Sequence, residues 1–234
     1  MTKLQAIDDS NRPAHFYLTP GDECYYLYEF TARKGFAYSP SNQFVFNFKK
    51  SPALQHEPQY RYKQQAIHKA ITIYREIFAR YPEICKQSTF VPIPPSKRPD
   101  HPEYDDRMWQ VVQGVCYDTA GEARQMIRQT ANYDAAHLAE DSSPRIKPEQ
   151  LERLYEVDGP SPRSMVLLFD DVLCAGCHFR AAKSAILAVH PNRRVVGIFL
   201  ARRVLSDPAS GSGAAPSLMM GSFPNILGTH WVVG

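Results

Sequence analysis

The segment Met165–Ala182, MVLLFDDVLCAGCHFRAA, carries more structural information than any other stretch of this chain. Four apolar residues, Val166 to Phe169, lead into two adjacent carboxylates, Asp170 and Asp171. An apolar run of this kind is typical of a strand buried on both faces in a parallel sheet. The small-residue loop that follows, and the amphipathic run from Phe179 to Val189, predict a turn and then a helix.

This order of elements predicts a ligand site at the carboxyl edge of the sheet. In open α/β sheets, ligands bind in the crevice beyond the carboxyl ends of the strands. The backbone N–H groups of the loop and of the next helix N-terminus favour an anion there. Two carboxylates beside such a loop suit a ligand that carries phosphate, a divalent metal and sugar hydroxyls.

Composition sets the broad class of the protein. The chain has 234 residues, 44% of them hydrophobic, which is enough for one sizeable core. No apolar stretch approaches the length of a membrane span, and a net charge of +3 does not require a nucleic-acid partner. Five cysteines at irregular spacing and an N-terminus without an apolar signal region lead us to expect a cytoplasmic protein.

The pattern of apolar residues predicts strands alternating with helices over residues 62–200. Predicted strands cover Cys24–Thr31, Asn42–Phe48, Thr89–Ile93, Ser164–Phe169 and Arg194–Leu200. Predicted helices cover Tyr62–Tyr81, about Met108 to Gln129, and Phe179–Val189. The fold expected is α/β, with a mainly parallel sheet flanked by helices and an aromatic-rich β hood at the N-terminus.

Three segments of one compact unit are expected. Residues 1–60 form the β-rich hood and lead-in, and residues 61–206 form the core. Residues 207–234 hold a flexible linker, DPASGSGAAPS, and a last strand, HWVVG.

The acidic strand end resembles the ribose-phosphate motif of type I phosphoribosyltransferases: a hydrophobic strand, two acidic residues, four loop residues and then glycine, here Gly176. The resemblance implies that Cys174, Ala175, Gly176, Cys177 and His178 bind the 5′-phosphate of 5-phosphoribosyl 1-diphosphate (PRPP). Members of that family usually place Thr or Ser near the glycine. Here the backbone amides remain, and His178 adds a donor of its own.

A second loop fits the same resemblance. VPIPPSKRPDHPEYDDRM follows an earlier strand and is similar to the family's pyrophosphate loop, with Ser96, Lys97 and Arg98 as its candidate ligands and Arg107 further along. The charge pattern alone favours a solvated basic turn, whereas the order and distance of this loop relative to Asp170 and Asp171 favour a pyrophosphate loop.

The stretch Ile127–Val157 is similar to one in ComF-like, competence-associated phosphoribosyltransferases. Its matching positions are Arg128, Thr130, His137 and Arg145. In that family the stretch forms a mobile loop, which makes Arg128 a candidate catalytic residue. The chain departs from the family in lacking an N-terminal cysteine zinc ribbon, since only Cys24 lies in the first eighty residues.

The resemblance implies transfer of phosphoribosyl to an acceptor, expected to be a nitrogen nucleophile. Asp170 and Asp171 would hold the ribose hydroxyls, directly or through Mg²⁺ and water, and would stabilise positive charge at C1. Mg²⁺ is the implied cofactor, carried mainly on pyrophosphate oxygens.

Other functions stay open at this stage. The chain could be a catalytically degenerate module that binds a nucleotide or phosphoribosyl ligand and acts through a partner protein in DNA uptake, processing or defence. Nucleic acid and oligomer formation are allowed but not required. Cys174 to His178 also fit CxxCH, the c-type haem signature, and CxxC, a redox or metal dithiol.

Overall fold

The computed structural model describes residues 2–133 and 146–205. Eight strands and six α-helices lie in these ranges. In chain order they are β1 Gln5–Ala6, β2 Glu23–Ala32, α1 Pro40–Phe48, α2 Arg61–Phe78, α3 Pro82–Gln87, β3 Ser88–Pro92, α4 Arg107–Tyr117, β4 Glu122–Ala123, β5 Ile127–Gln129, α5 Pro148–Glu152, β6 Tyr155–Val157, β7 Met165–Leu173, α6 Cys177–Val189 and β8 Arg194–Leu205.

A six-stranded sheet forms the centre, in the order β1-β2-β8-β7-β3-β4. Every neighbouring pair is parallel except β1 with β2. The predicted α/β class with a mainly parallel sheet flanked by helices is therefore confirmed. Strands β5 and β6 form a separate antiparallel pair. Among the described residues, no helix combines the length and the apolar character needed to cross a bilayer.

Strand β7 lies in the middle of the sheet and separates two cores. Phe169 packs on one face with Tyr74 of α2 and Phe90 of β3, at ring-centroid distances of 5.4 and 5.3 Å. Leu168 packs on the other face, in a core that includes Phe179 of α6. Successive residues of a strand point to opposite faces, so this packing sends Asp170 toward α6 and Asp171 toward α2 and α4.

The prediction of an N-terminal β hood is wrong. Strand β2 belongs to the main sheet, where it runs parallel to β8 with Tyr28 opposite Ala201. The predicted strand over Asn42–Phe48 is helix α1 instead. Ser39 caps this helix by accepting a hydrogen bond from the Asn42 backbone N–H at 3.0 Å, and Pro40 occupies its first turn. These local signals outweigh the β preference of the aromatic residues.

Helix α4 is shorter than predicted, and β7 and β8 are longer. The expected helix to Gln129 ends at Tyr117, and β4 and β5 follow. Gly121 lies in the turn after α4, where a Cβ atom would stand 2.7 Å from the Phe90 ring. Strands β7 and β8 continue beyond their apolar runs because they pair with each other as far as Leu173 and Arg202.

The predicted strand Cys24–Thr31, helix Tyr62–Tyr81 and strand Thr89–Ile93 are confirmed within a few residues as β2, α2 and β3. The predicted division of the chain at residues 60 and 206 stays a prediction. The last segment, residues 207–234 with its linker and strand, lies outside the described residues.

Asn42 makes the contacts that hold α1 against β2, so we expect Asn42→Ala to destabilise the protein. The buried side chain accepts from the Thr31 N–H at 3.0 Å and donates to the Thr31 carbonyl at 3.1 Å. Leaving these groups unsatisfied should lower the free energy of unfolding by about 1–3 kcal/mol. Urea denaturation measures the loss, with the exposed neighbour Gln43→Ala as the matched control. Equal stability of the two variants would contradict this role of Asn42.

Candidate functional site

The candidate site lies at the carboxyl edge of β3 and β7. Pro92, the last residue of β3, stands opposite Phe169, and the Ile93 N–H donates to the Phe169 carbonyl at 2.9 Å. The loop after β3 therefore starts beside Asp170. The two loops singled out by their motifs thus leave the sheet at the same edge.

Asp171 is held by two cations. Its Oδ1 accepts from Lys49 Nζ at 3.1 Å, and its Oδ2 accepts from Arg107 Nε at 3.1 Å and Nη2 at 2.5 Å. The side chain is 8% exposed. Although burial alone would raise it, the pKa of Asp171 is lowered because Lys49 and Arg107 stabilise the carboxylate. Both oxygens are thus already engaged within the protein.

The ion pairs continue beyond Asp171 into a buried network. Arg107 also pairs with Asp105, and Lys63 Nζ lies 2.5 Å from Asp105 Oδ2 and donates to the Lys50 carbonyl at 2.7 Å. Desolvation lowers the pKa of Lys63, while Asp105 opposes that change. The network joins residues that follow α1, begin α2 and α4, and lie in β7. It uses Arg107, which the sequence assigned to pyrophosphate, as an internal ion-pair partner.

Sequence reasoning missed Lys49, Lys63 and Asp105. Each lies in a polar or amphipathic stretch, with Lys50 next to Lys49 and Asp106 next to Asp105, and no local periodicity marks it as buried. The contacts that define their roles span 42 to 122 residues along the chain. Only the tertiary fold brings these residues together.

Asp170 has a different environment from its neighbour. Its Oδ1 accepts from the Asp171 backbone N–H at 2.7 Å, and its Oδ2 lies 3.8 Å from Nδ1 of His178. Burial, together with the negative charge of Asp171, raises the pKa of Asp170 to about 7. The described contacts of Asp170 therefore differ from those of Asp171, which lies in ion pairs with Lys49 and Arg107.

The conformation of the loop at residues 174–176 depends on Gly176, the N-cap of α6, which has a φ of +91°. This left-handed conformation favours glycine, and a Cβ atom here would stand 2.8 Å from Leu18. The lead-in segment packs on the loop. His15 Nδ1 contacts the Cys174 carbonyl, and the Tyr17 N–H donates to the Ala175 carbonyl at 2.9 Å.

Among the described residues, no side chain caps the start of helix α6, and its first turn holds no acidic residue. A helix N-terminus carries a partial positive charge that favours an anion. Cys177 and His178 are the first two residues of this helix. A phosphate site at this helix start stays a prediction.

Tyr133 connects the two predicted loops. Its hydroxyl lies 3.4 Å from Nε2 of His178, and its N–H donates to the Ser96 carbonyl at 3.1 Å. The neighbouring Asn132 Oδ1 accepts from the Arg98 N–H at 2.8 Å. Through this segment the structure links Ser96, Lys97 and Arg98 to the loop that holds His178.

The described ion pairs and hydrogen bonds of Arg98 and Arg128 are with residues other than Asp170 and Asp171. The Arg98 guanidinium lies 3.3 Å from Asp100 and donates to the Thr130 carbonyl. Arg128, predicted as catalytic, lies on β5 and is 56% exposed, and it pairs across the two-stranded sheet with Glu156 and with Asp158.

Of the other three positions matched to the ComF-like stretch, only Thr130 lies among the described residues. Thr130 bonds to the Leu154 carbonyl through both its N–H and its hydroxyl, which gives it a structural role. His137 and Arg145 lie outside the described residues.

The thiols of Cys174 and Cys177 lack the features of a redox dithiol. Both are free, and the Cys177 thiol donates to the Ile146 carbonyl at 3.3 Å. Desolvation raises the pKa of Cys177 to about 11 and also raises the pKa of the Cys174 thiol at the rim of the site. Reactive cysteines need a lowered pKa, so these environments disfavour the dithiol interpretation.

A resident Mg²⁺ bound directly by Asp170 and Asp171 does not fit this arrangement. Both oxygens of Asp171 are engaged by cations, which leaves Asp170 as a single carboxylate. Within residues 2–133 and 146–205, no group of three or more His, Cys, Asp or Glu side chains could hold a metal ion.

Comparison with known proteins found no matching family model and no matching curated protein.

Asp171→Asn should destabilise the protein because it leaves Lys49 and Arg107 without their shared anion. Removing one partner of a buried ion pair costs about 3 kcal/mol or more. Chemical denaturation at neutral pH measures this loss. An unfolding free energy equal to that of the wild type would show that the pairs contribute nothing to stability.

Asp170→Asn should have the opposite effect. A carboxyl group whose folded-state pKa is raised from 3.8 to about 7 stabilises the fold at low pH, and that contribution is lost as pH rises through 7. The neutral amide avoids the cost of a buried charge, so we expect the variant to gain more stability over the wild type at pH 8 than at pH 5. Denaturation of both proteins at the two pH values measures the difference. An equal change at both would contradict the raised pKa.

Proposed function

We propose that this protein binds PRPP or a closely related phosphoribosyl ligand and acts as a phosphoribosyltransferase on an unidentified acceptor. The observation that supports it best is the combination at one sheet edge of Asp170, the uncapped start of α6 after Gly176, and the loop at residues 96–98. A carboxyl group, backbone donors for a phosphate and a basic loop suit a phosphorylated sugar.

Asp170 is assigned to the ribose hydroxyls in this proposal. Its described contacts are with the Asp171 backbone and with His178, and its pKa of about 7 allows it either to accept or to donate a hydrogen bond at neutral pH. Asp171 holds Lys49 and Arg107 in place instead of contacting the sugar. The roles expected for the two carboxylates are therefore divided.

The phosphates are assigned to the two loops. Residues 174–178 bind the 5′-phosphate through backbone N–H groups, with His178 as an additional donor, and Ser96, Lys97 and Arg98 bind the diphosphate. Mg²⁺ enters with the diphosphate as part of the ligand. The ligand's negative charges also suit the positive end of the α6 dipole.

The proposed reaction breaks the bond between C1 of the ribose and the diphosphate oxygen, and forms a bond from C1 to the acceptor nitrogen. The acceptor loses its proton to solvent, and diphosphate leaves with the electron pair of the broken bond. Positive charge develops at C1, so an ionised Asp170 stabilises the transition state. The rest of catalysis is the positioning of two reactants.

One observation favours a binding module over an enzyme. Cys174 and Ala175 provide no hydroxyl at the loop, and the carbonyl groups of both residues contact the lead-in segment. In this second proposal the site holds the ligand without turnover and signals to a partner protein. Either activity is consistent with a cytoplasmic protein, since all five cysteines are free thiols.

Calorimetry with PRPP and Mg²⁺ tests the site itself. We expect the wild type to bind and Asp170→Asn to lose at least ten-fold in affinity, because the ribose hydroxyls lose a charged partner. Asp118→Asn is the matched control, since Asp118 lies at the opposite end of α4 and pairs with Arg75 at 2.7 Å. Failure of the folded wild type to bind would contradict the proposal.

Release of diphosphate separates the enzyme from the binding module. Wild-type protein is incubated with PRPP, Mg²⁺ and a panel of purine, pyrimidine and amine acceptors, and diphosphate is measured by a coupled assay. Release that depends on both an acceptor and Asp170 supports the transferase. Binding without release for any acceptor supports the module.

A further inference from the structure

We propose that Lys49, at the end of α1, binds a phosphate group of the ligand at the loop of residues 174–178. This inference rests on the proposed function and adds a ligand-binding residue from outside the core segment. It follows from the exposure of Lys49, from its contact with Asp171 at the acidic strand end, and from its electrostatic action on Asp170 and Cys174.

Lys49 is the most accessible cation of the buried network. Its side chain is 28% exposed, compared with 16% for Arg107 and 2% for Lys63. One described hydrogen bond joins its ammonium group to Asp171. A lysine carries three N–H donors, so two remain able to reach a ligand at the surface of the site.

Lys49 also acts on the carboxyl group that the proposed function assigns to the ribose. Together with Arg107 it lowers the pKa of Asp170, against the larger effects of burial and of the Asp171 charge. Because Lys63 and Arg107 are more deeply buried, Lys49 is the member of the network best placed to contact a phosphate anion.

The ammonium group of Lys49 contacts Asp171, three residues before Cys174, and its charge reaches the phosphate loop. Lys49 and Arg203 both act electrostatically on Cys174, where each lowers the pKa of the thiol against the larger effect of desolvation. At the same loop, Cys174 and Ala175 lack the hydroxyl donors found in the resembled family. A cation from α1 provides a donor that the loop side chains do not supply.

The position of Lys49 follows from the folding of α1. Its N–H donates to the Val45 carbonyl at 2.9 Å, which makes it the C-cap of the helix, and the neighbouring Phe48 is fully buried. A cation at a helix C-terminus also interacts favourably with the helix dipole. Lys49 is therefore held at the site edge before any ligand binds.

Lys49→Met tests this inference, with Lys50→Met as the matched control. Lys50 contributes its backbone carbonyl to Lys63, and the substitution leaves that carbonyl in place. The probes are PRPP with Mg²⁺, ribose 5-phosphate and inorganic pyrophosphate, each titrated by calorimetry. We expect Lys49→Met to weaken PRPP binding roughly ten- to one hundred-fold, Lys50→Met to change it less than three-fold, and Lys49→Arg to retain most of it.

The other probes identify the phosphate that Lys49 contacts. Weaker binding of ribose 5-phosphate by Lys49→Met supports a contact with the 5′-phosphate, and weakening confined to pyrophosphate would overturn it. Thermal denaturation with each titration separates lost binding from lost folding. If Lys49→Met does not fold, Lys49→Gln and Lys49→Arg replace it, and the expected order of affinity is wild type, then Arg, then Gln.

The outcomes separate the two proposals. If the wild type binds PRPP and folded Lys49→Met binds it as tightly as Lys50→Met, the role of Lys49 is overturned while the proposed function stands. If the folded wild type binds none of the three probes, both fail. A smaller salt dependence of binding in Lys49→Met than in the wild type would support the direct charge contact.

Discussion

The buried carboxylate of Asp171, held between Lys49 and Arg107, is the contact on which the rest of the site depends. A charged group in the middle of an apolar sheet is costly unless cations and hydrogen bonds compensate for lost water. That requirement draws the end of α1 and the start of α4 toward the end of β7. The arrangement of residues at this edge therefore depends on how the buried charge of Asp171 is compensated.

Successive side chains of a strand point to opposite faces of the sheet, so the two adjacent carboxyl groups of β7 lie in different environments. Asp170 and Asp171 are adjacent in sequence, but one points toward α6 and the other toward the buried cations. Cations lower the pKa of Asp171, while burial and the charge of Asp171 raise that of Asp170. Neighbouring carboxyl groups with pKa values pushed apart are suited to different roles, one structural and one toward a ligand.

Much of the site can be predicted from sequence because its main signal is local. A buried parallel strand, a left-handed glycine and a helix start occur within a dozen residues, from Val166 to Cys177. Arg128 was assigned on a resemblance, and the structure places it in ion pairs on the outer face of a two-stranded sheet. Such pairing depends on the partner strand, which lies about thirty residues away and has no local signature.

The sequence by itself determined the α/β class, the central strand with its acidic carboxyl end, and the loop and helix that follow it. Each depends on apolar periodicity or on glycine conformation, which are properties of a short segment. Tertiary structure alone decided that β2 joins the main sheet, that residues 40–48 are a helix, and that Lys49, Lys63 and Asp105 surround the acidic strand end. The physical reason is that burial and ion pairing are set by residues distant in the chain, and no local pattern records them.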